Sequence, residues 1–132
     1  MDTSRDRQRL RGLFYSQMRL MQIFLGTRGL VKGGIYKTRL KCGKKGCRCE
    51  RGELHEVWMF YRSEEGKTKI RTLSREDVTE YGKYTRSYQR YRQARAELVR
   101  LQKEQIGLID QIEEGLRKEN WRIEQKLFRN GR

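Results

Sequence analysis

KCGKKGCRCERGELH, residues 41–55, contains every cysteine of the 132-residue chain and its single histidine. The four candidate metal ligands in this stretch are Cys42, Cys47, Cys49 and His55. Three thiolates and one imidazole make up a complete tetrahedral shell for zinc. Gly43 and Gly46 lie between the first two cysteines, where glycine lets a short loop turn back on itself. We call residues 41–55 the knuckle, and we predict that it binds zinc.

The spacing of the ligands leaves an alternative open. Four residues and then one residue separate the cysteines, whereas common knuckles have two, so three ordinary reduced cysteines and a loop histidine would also fit. An iron–sulfur cluster is disfavoured because it takes four thiolates. The odd cysteine count and the lack of a signal peptide disfavour a disulfide framework. Four protein ligands leave no position for water or substrate, so we expect a structural Zn²⁺.

The composition indicates a small core and an anionic partner. Charged residues make up 37% of the chain and hydrophobic residues 35%, and the net charge is +15. A chain with so little apolar material commonly relies on a metal or a partner for stability. So large a positive charge is typical of proteins that bind a polyanion. No apolar run approaches the ~20 residues of a membrane span, and we expect a cytoplasmic protein with no membrane contact.

Residues 1–28 form the first predicted region, a basic amphipathic helix over residues 5–25. Apolar side chains recur there at steps of three and four residues, which is the helical period. The members of this stripe are Leu10, Leu13, Phe14, Met18, Met21, Phe24 and Leu25. We interpret the stripe as a packing face. The arginines at its start are equally compatible with solvation and with phosphate contact.

Residues 29–74 form the second region, which holds the knuckle and a β-hairpin. IYKTRLK, residues 35–41, predicts a strand leading into the knuckle. EVWMFYR and TKIRTL then flank a polar loop that contains Gly66, which is typical of a hairpin. Trp58 and Phe60 fall on one face of the hairpin, and the other face carries Val57, Met59 and Tyr61. Because both faces are apolar, we expect both to be covered.

Residues 75–132 form the third region, a long helix that begins after a capping-box variant at Ser74 and Asp77. The helix is predicted to reach about Phe128. Three glycines in its path are Gly82, Gly107 and Gly115, and whether the helix continues through them is open.

The later part of this helix carries an apolar seam and no net charge over residues 104–132. The seam consists of Leu98, Leu101, Gln105, Leu108 and Ile112, followed after an extra step by Leu116, Ile123 and Leu127. We expect residues 98–127 to form a coiled coil with a second copy of the chain or with a partner helix. The alternative is that this segment folds back on the first helix of the same chain.

The early part of the long helix carries four tyrosines, Tyr81, Tyr84, Tyr88 and Tyr91, interleaved with basic residues. For the rings we favour packing over base stacking, although tyrosine is suited to both. The basic residues favour phosphate contact. The predicted nucleic-acid-binding residues are Arg5, Arg7, Arg9, Arg11, Lys41, Lys44, Lys45, Arg48, Arg51, Lys83, Arg86, Arg90, Arg92 and Tyr88. Such contacts do not distinguish DNA from RNA.

Residues 30–98 resemble a family of small bacterial and archaeal proteins described as a domain of unknown function. The motif elements that carry the resemblance are Cys42, Gly43, Lys44, Cys47, Cys49, His55, Gly66, Lys67, Tyr88 and Arg90. Members often have Gly-Pro after the histidine, whereas this chain has Glu56 and Val57. The resemblance implies a zinc knuckle, a hairpin and a helix, and an association with mobile genetic elements.

These patterns predict a small α+β protein with an N-terminal amphipathic helix, a zinc-finger-like knuckle with a β-hairpin, and a long C-terminal helix. The predicted function is non-enzymatic, zinc-stabilised binding of DNA or RNA, as an accessory subunit of a nucleoprotein complex of a mobile element. The alternative is a scaffold that binds an acidic protein through its basic face and helix. An enzyme is disfavoured because the one histidine is assigned to the metal and no carboxylate pair suggests acid–base chemistry.

Overall fold

A computed structural model describes residues 2–41 and 43–129. The elements in chain order are α1 (Ser4–Phe24), β1 (Gly34–Leu40), a 3-10 turn (Arg48–Arg51), β2 (His55–Glu64), β3 (Lys67–Leu73), α2 (Arg75–Glu119) and α3 (Trp121–Arg129). This order confirms the predicted α+β fold. Over the two described ranges, no helix is both long enough and apolar enough to cross a membrane.

The chain forms two compact units. The helical unit contains the described residues up to Gly26 and those from Ala94 onward, and the sheet unit is Thr27–Gln93. The helix α2 therefore supplies its first part to the sheet unit and its later part to the helical unit.

The sheet unit is built on a three-stranded antiparallel sheet in the order β1-β2-β3. β2 and β3 form the predicted hairpin, in which Glu64 pairs with Lys67 across a two-residue turn. Both turn residues have positive φ, 50° at Glu65 and 77° at Gly66, as a type I′ hairpin turn requires. The predicted strand before the knuckle pairs with the other edge of β2, so the hairpin is part of a larger sheet.

The two faces of this sheet are covered unequally. Trp58 and Phe60 are half-buried, and Leu73, which pairs with Trp58, is buried. On the opposite face Tyr36 and Tyr61 are exposed, with their ring centroids 5.5 Å apart. Val57 and Met59 on that face are half-buried, so the expectation that both faces are covered is wrong only for the part of the face around these tyrosines. Antiparallel sheets commonly pack one face and leave the other to water.

In the helical unit, α1 packs against the later part of α2. Leu13, Leu101 and Leu108 form a buried cluster, with Leu10 and Leu20 packed against it. The helices run in opposite directions, because Thr3 lies against Gly115 whereas Gln17 accepts a hydrogen bond from Gln105 at 2.8 Å. The structure thus shows the fold-back alternative for this segment.

The seam on α2 ends differently from the prediction. After Leu108 and Ile112 the next buried position is Gly115, which continues the regular spacing of three and four residues. Leu116, Ile123 and Leu127 are exposed instead. The predicted extra step is therefore wrong: the small glycine at position 115 faces α1, and the larger leucine beside it does not.

The long helix begins as predicted and ends earlier. Asp77 N donates to Ser74 Oγ at 3.2 Å and Ser74 N donates to Asp77 Oδ2 at 3.4 Å, which is a reciprocal capping box. α2 continues through all three glycines and ends at Glu119, and Asn120 separates it from α3.

Candidate metal centre

The knuckle connects the end of β1 to the start of β2. Leu40, the last residue of β1, pairs with His55, the first residue of β2. The sheet therefore fixes both ends of the loop, and it places the histidine ring at the base of the knuckle. Because strand pairing sets the position of His55, its imidazole does not depend on the loop for its location.

The two described cysteines lie on one tight turn. Cys47 caps the 3-10 turn Arg48–Arg51, and Cys49 lies inside that turn and is fully buried. Glu50 N donates to the carbonyl of Cys47 at 3.1 Å, and Gly52 ends the turn with φ 98°. The turn thus holds two sulfur atoms on the same short piece of backbone.

These side chains converge with His55. The Sγ atoms of Cys47 and Cys49 and a ring nitrogen of His55 all lie within 4.8 Å of one another. Cys47 Sγ and His55 Nε2 are 2.9 Å apart. Metal–ligand bonds of 2.0–2.3 Å give tetrahedral edges of roughly 3.5–3.8 Å, so small side-chain shifts would suit a metal ion. Cys47, Cys49 and His55 therefore form a possible metal-binding group.

The fourth predicted ligand, Cys42, lies outside the described residues. The loop that follows it turns through two glycines with positive φ, 77° at Gly43 and 79° at Gly46. Gly46 N also donates to the Glu50 carboxylate at 3.2 Å, which ties the loop to the 3-10 turn. Residues other than glycine rarely adopt a backbone conformation with positive φ. Both glycines therefore let the loop reverse direction, as predicted.

The rim of the knuckle is strongly basic. Residues 41–55 contain five lysines and arginines against two glutamates. The basic members, Lys41, Lys44, Lys45, Arg48 and Arg51, are all exposed. The loop thus turns its sulfur ligands inward and its cations outward, an arrangement that can present positive charge to an anionic polymer.

The other predicted nucleic-acid-binding residues are also on the surface, and their role stays a prediction. Arg5, Arg7, Arg9 and Arg11 are exposed on α1, and Lys83, Arg86, Arg90 and Arg92 are exposed on α2. One of them is engaged already, because the Arg9 guanidinium contacts the Glu104 carboxylate at 2.6 Å. Tyr88 is half-buried, as a packing role would require.

Sequence reasoning missed a second cluster of basic side chains in the sheet unit. Arg62, Lys69 and Arg71 line a groove together with Phe60 and Tyr81. Strand alternation alone could have placed Lys69 and Arg71 on one face of β3. The groove itself could not be predicted from β3 alone, because Phe60 and Tyr81 come from two other segments of the chain.

Comparisons with curated proteins and with solved structures found no match to this chain. A scan against family models did find one, over residues 5–83, described as a domain of unknown function (DUF6788). That range takes in α1, the knuckle, all three strands and the start of α2. It starts earlier than the resemblance in the sequence, which begins at residue 30. Since the match extends over more than half of the chain, the protein belongs to the DUF6788 family.

Proposed function

We propose that this protein is a non-enzymatic, zinc-stabilised nucleic-acid-binding protein. The observation that carries the proposal is the convergence of Cys47, Cys49 and His55 inside a loop whose exposed side chains are mainly lysine and arginine. A metal would hold such a loop rigid, and a rigid array of cations binds a phosphate backbone with less loss of conformational entropy than a flexible one.

Zinc is the metal that best suits this donor set. Thiolate and imidazole ligands favour Zn²⁺, which binds them in tetrahedral geometry. Cys42 would supply the fourth ligand and close the shell, making the site structural. The small core of the sheet unit supports this assignment, because Cys49 and Leu73 are the buried hydrophobic residues found among its described positions. Metal binding contributes directly to folding in such small units.

Charge supports the choice of a nucleic acid as the ligand. The chain carries +15, and the cations of the knuckle are exposed. Lysine and arginine on a surface bind phosphates and release condensed counterions, which makes the affinity fall steeply with salt. The contacts proposed here are to the backbone, so they bind DNA or RNA without selecting a base sequence.

The test is a binding measurement on metal-loaded protein. Fluorescence anisotropy with labelled single-stranded and double-stranded oligonucleotides would give the affinity over a series of salt concentrations. Zinc per chain would be measured on the same sample. We expect about one zinc per chain and a log–log salt slope near −0.7 to −0.9 for each phosphate neutralised.

Variants localise the contact. Replacing Lys44, Lys45 and Arg48 together by glutamine should weaken binding and reduce the salt slope. A matched triple replacement of Lys118, Arg122 and Lys126, near the neutral C-terminal end, should have little effect. Binding that is absent, insensitive to salt or lowered equally by both triple variants would contradict the proposal.

A second candidate function, a scaffold for a protein partner, is favoured by α3. Its side chains Trp121, Ile123, Leu127 and Phe128 are all exposed, and exposed apolar clusters mark interaction surfaces. The partner would be an acidic protein or a second copy of this chain. Light scattering after size-exclusion chromatography should then show an assembly that Leu127→Asp disrupts. A monomer with no co-purifying protein after nuclease treatment would exclude this candidate.

The proposed place of the protein is as an accessory subunit of a nucleoprotein complex of a mobile element. It would bind the nucleic acid through the knuckle and the complex through α3. Co-purification with nucleic acid that is lost after nuclease treatment, and with a defined set of proteins that stays bound after it, would support this role.

A further inference from the structure

The groove on the Phe60 face of the sheet has an apolar floor and a basic rim. Its volume is about 450 Å³, within the usual range for sites that bind a small group. Its apolar walls are formed by Val31, Phe60, Leu73 and Tyr81. The segment before β1, the strands β2 and β3 and the helix α2 therefore meet here around one concave surface.

The walls of the groove are held in place by the backbone. Val31 N donates to the carbonyl of Tyr84 at 3.2 Å, which fastens the segment before β1 to α2. Gly33 lies so close to the sheet that an added Cβ would be 2.7 Å from the Phe60 ring. The Phe60 ring thus packs directly against the chain, and its position is set before any ligand binds.

The three basic side chains at the rim of the groove, Arg62, Lys69 and Arg71, carry more positive charge than the one nearby carboxylate, Glu64, can neutralise. Arg62 and Lys69 both contact the single carboxylate of Glu64, at 2.6 and 2.7 Å. The Arg62 Nε atom is buried and has no hydrogen-bond partner among the described residues. Arg71 has no ion-pair partner in the described part of the chain. The rim can therefore bind an anion without first breaking all of its ion pairs.

Tyr81 leaves one aromatic surface open to the groove. Its side chain is 41% exposed, although it lies in the first turns of α2 against the sheet. An exposed ring beside cations suits a ligand with a flat π-system and a nearby negative charge. A nucleotide has both features, since its base can stack and its phosphate can accept from a guanidinium.

The basic residues continue along the edge of the sheet. Lys67, Lys69 and Arg71 alternate on β3, so they share one face and follow one another at steps of roughly 7 Å. Lysine on an edge strand also discourages sheet-to-sheet pairing, but that role explains neither Arg71 nor the apolar groove. A row of cations leading away from the groove fits an extended polymer better than a single small anion.

We propose that this groove binds one unstacked nucleotide of a single-stranded nucleic acid, with the base against Tyr81 and Phe60 and the backbone along Lys67, Lys69 and Arg71. This inference rests on the proposed function and adds to it a preference for single strands over duplexes. Bases in a duplex have no free π-face, whereas those of a single strand can stack on protein aromatic rings.

The test compares the two faces of the sheet. Tyr81→Ala removes the ring in the groove, and Tyr36→Ala removes a ring of similar exposure, 39%, from the opposite face. The probes are a fluorescein-labelled 12-nucleotide single strand and a duplex of the same length, measured by anisotropy with the zinc-loaded protein. Circular dichroism and zinc content would confirm that each variant folds.

We expect Tyr81→Ala to weaken single-strand binding on the order of tenfold. Tyr81→Phe, which keeps the ring, and Tyr36→Ala should stay close to the wild-type affinity. Arg71→Gln should reduce the salt slope for the single strand by about 0.7, the value for one lost phosphate contact. Ultraviolet cross-linking of a 5-bromouracil strand should label a peptide that contains Phe60 or Tyr81.

Four outcomes would overturn this inference. Equal effects of Tyr81→Ala and Tyr36→Ala, or cross-links confined to the tyrosine face, would show that the groove does not bind bases. Loss of poly-L-glutamate binding in Tyr81→Ala, with oligonucleotide binding unchanged, would assign the groove to acidic polypeptides. Wild-type protein that binds no nucleic acid contradicts the proposed function itself, whereas unchanged nucleic-acid binding in the groove variants contradicts only this inference.

Discussion

The helical unit and the sheet unit are stabilised in different ways. In the helical unit a regular seam along α1 and α2 buries Leu13, Leu101 and Leu108. In the sheet unit Cys49 and Leu73 are the buried hydrophobic residues at described positions, and one face of the sheet is open. The contrast shows that the two helices form a core along a periodic seam, whereas the sheet buries little apolar material, so we expect its stability to depend on the knuckle.

The seam also contains groups that define its register. Gln105 donates to Gln17 at 2.8 Å in a part-buried position between the leucines, and Thr3 contacts the bare backbone at Gly115. A polar pair within an apolar seam favours one alignment of the helices over others.

Removal of the proposed zinc is expected to have the largest effect. Chelation of zinc, or Cys49→Ser, should unfold the knuckle and expose β2 and β3, because structural zinc contributes about 10–16 kcal/mol to the folding of small domains. Hydrogen exchange followed by mass spectrometry should show protection lost across residues 55–73 and kept across residues 98–112. An equal loss of protection in both units would contradict the expectation that only the sheet unit depends on the metal for its stability.

The second prediction concerns the seam of the helical unit. Leu108→Ala should lower the free energy of unfolding by about 2–4 kcal/mol, because it removes a side chain that is only 9% exposed. Leu116→Ala, at a position 46% exposed, is the matched control and should cost less than about 1 kcal/mol. Urea denaturation followed by far-ultraviolet circular dichroism measures both. A larger loss of unfolding free energy in Leu116→Ala than in Leu108→Ala would instead support Leu116 as the next position of the seam, as the sequence predicted.

The third prediction uses two glycines of α2. Gly107 has nothing within 4 Å of an added Cβ, so Gly107→Ala should stabilise the helix by up to about 1 kcal/mol. At Gly115 the same Cβ would lie 2.5 Å from the Thr3 methyl group, so Gly115→Ala should gain less or destabilise. Replacing Thr3 by serine removes that methyl group and should recover part of the difference. Thermal unfolding of Gly107→Ala, Gly115→Ala, Thr3→Ser and the double variant Thr3→Ser/Gly115→Ala tests the close approach of Thr3 to Gly115.

The sequence was informative where structure is determined by neighbouring residues. The capping box at Ser74 and Asp77 and the turn at Gly66 were both predictable, because each depends on a few consecutive side chains. The cluster of candidate metal ligands was predictable for the same reason, since Cys47, Cys49 and His55 lie within nine positions.

Features that depend on distant segments could not be predicted in this way. Gly115, and not Leu116, occupies the buried position of the seam because of which face of α2 meets α1. From the sequence alone, the leucine is the more obvious candidate for a buried position. The open sheet face could not be identified either, because Tyr61 and Phe60 are equally apolar in the sequence. Only the packed positions of Val31 and Tyr81 show which of the two faces is covered.

The smallest expected effect is that of acid on the surface ion pairs of the sheet unit. A hydrogen bond from Lys69 and the charge of Arg62 lower the pKa of Glu64 below its ordinary value of 4.5. Because the folded-state pKa is the lower one, this pair contributes stability above pH 4.5 that is lost as the pH falls through the folded value. Since the carboxylate is solvent-accessible, the loss should be slight.

Glu64→Gln isolates this contribution, because it keeps the shape of the side chain and removes its titration. The difference in unfolding free energy between wild type and variant should be small at pH 7 and should diminish as the pH falls below 4.5, through the lowered pKa of Glu64. The same variant releases Arg62 and Lys69 at the rim of the groove, so it should tighten binding to the single strand at pH 7. An unchanged or weaker affinity would show that Glu64 orients those cations for the ligand and does not compete with it, which would tie the stability of the sheet unit to its proposed binding site.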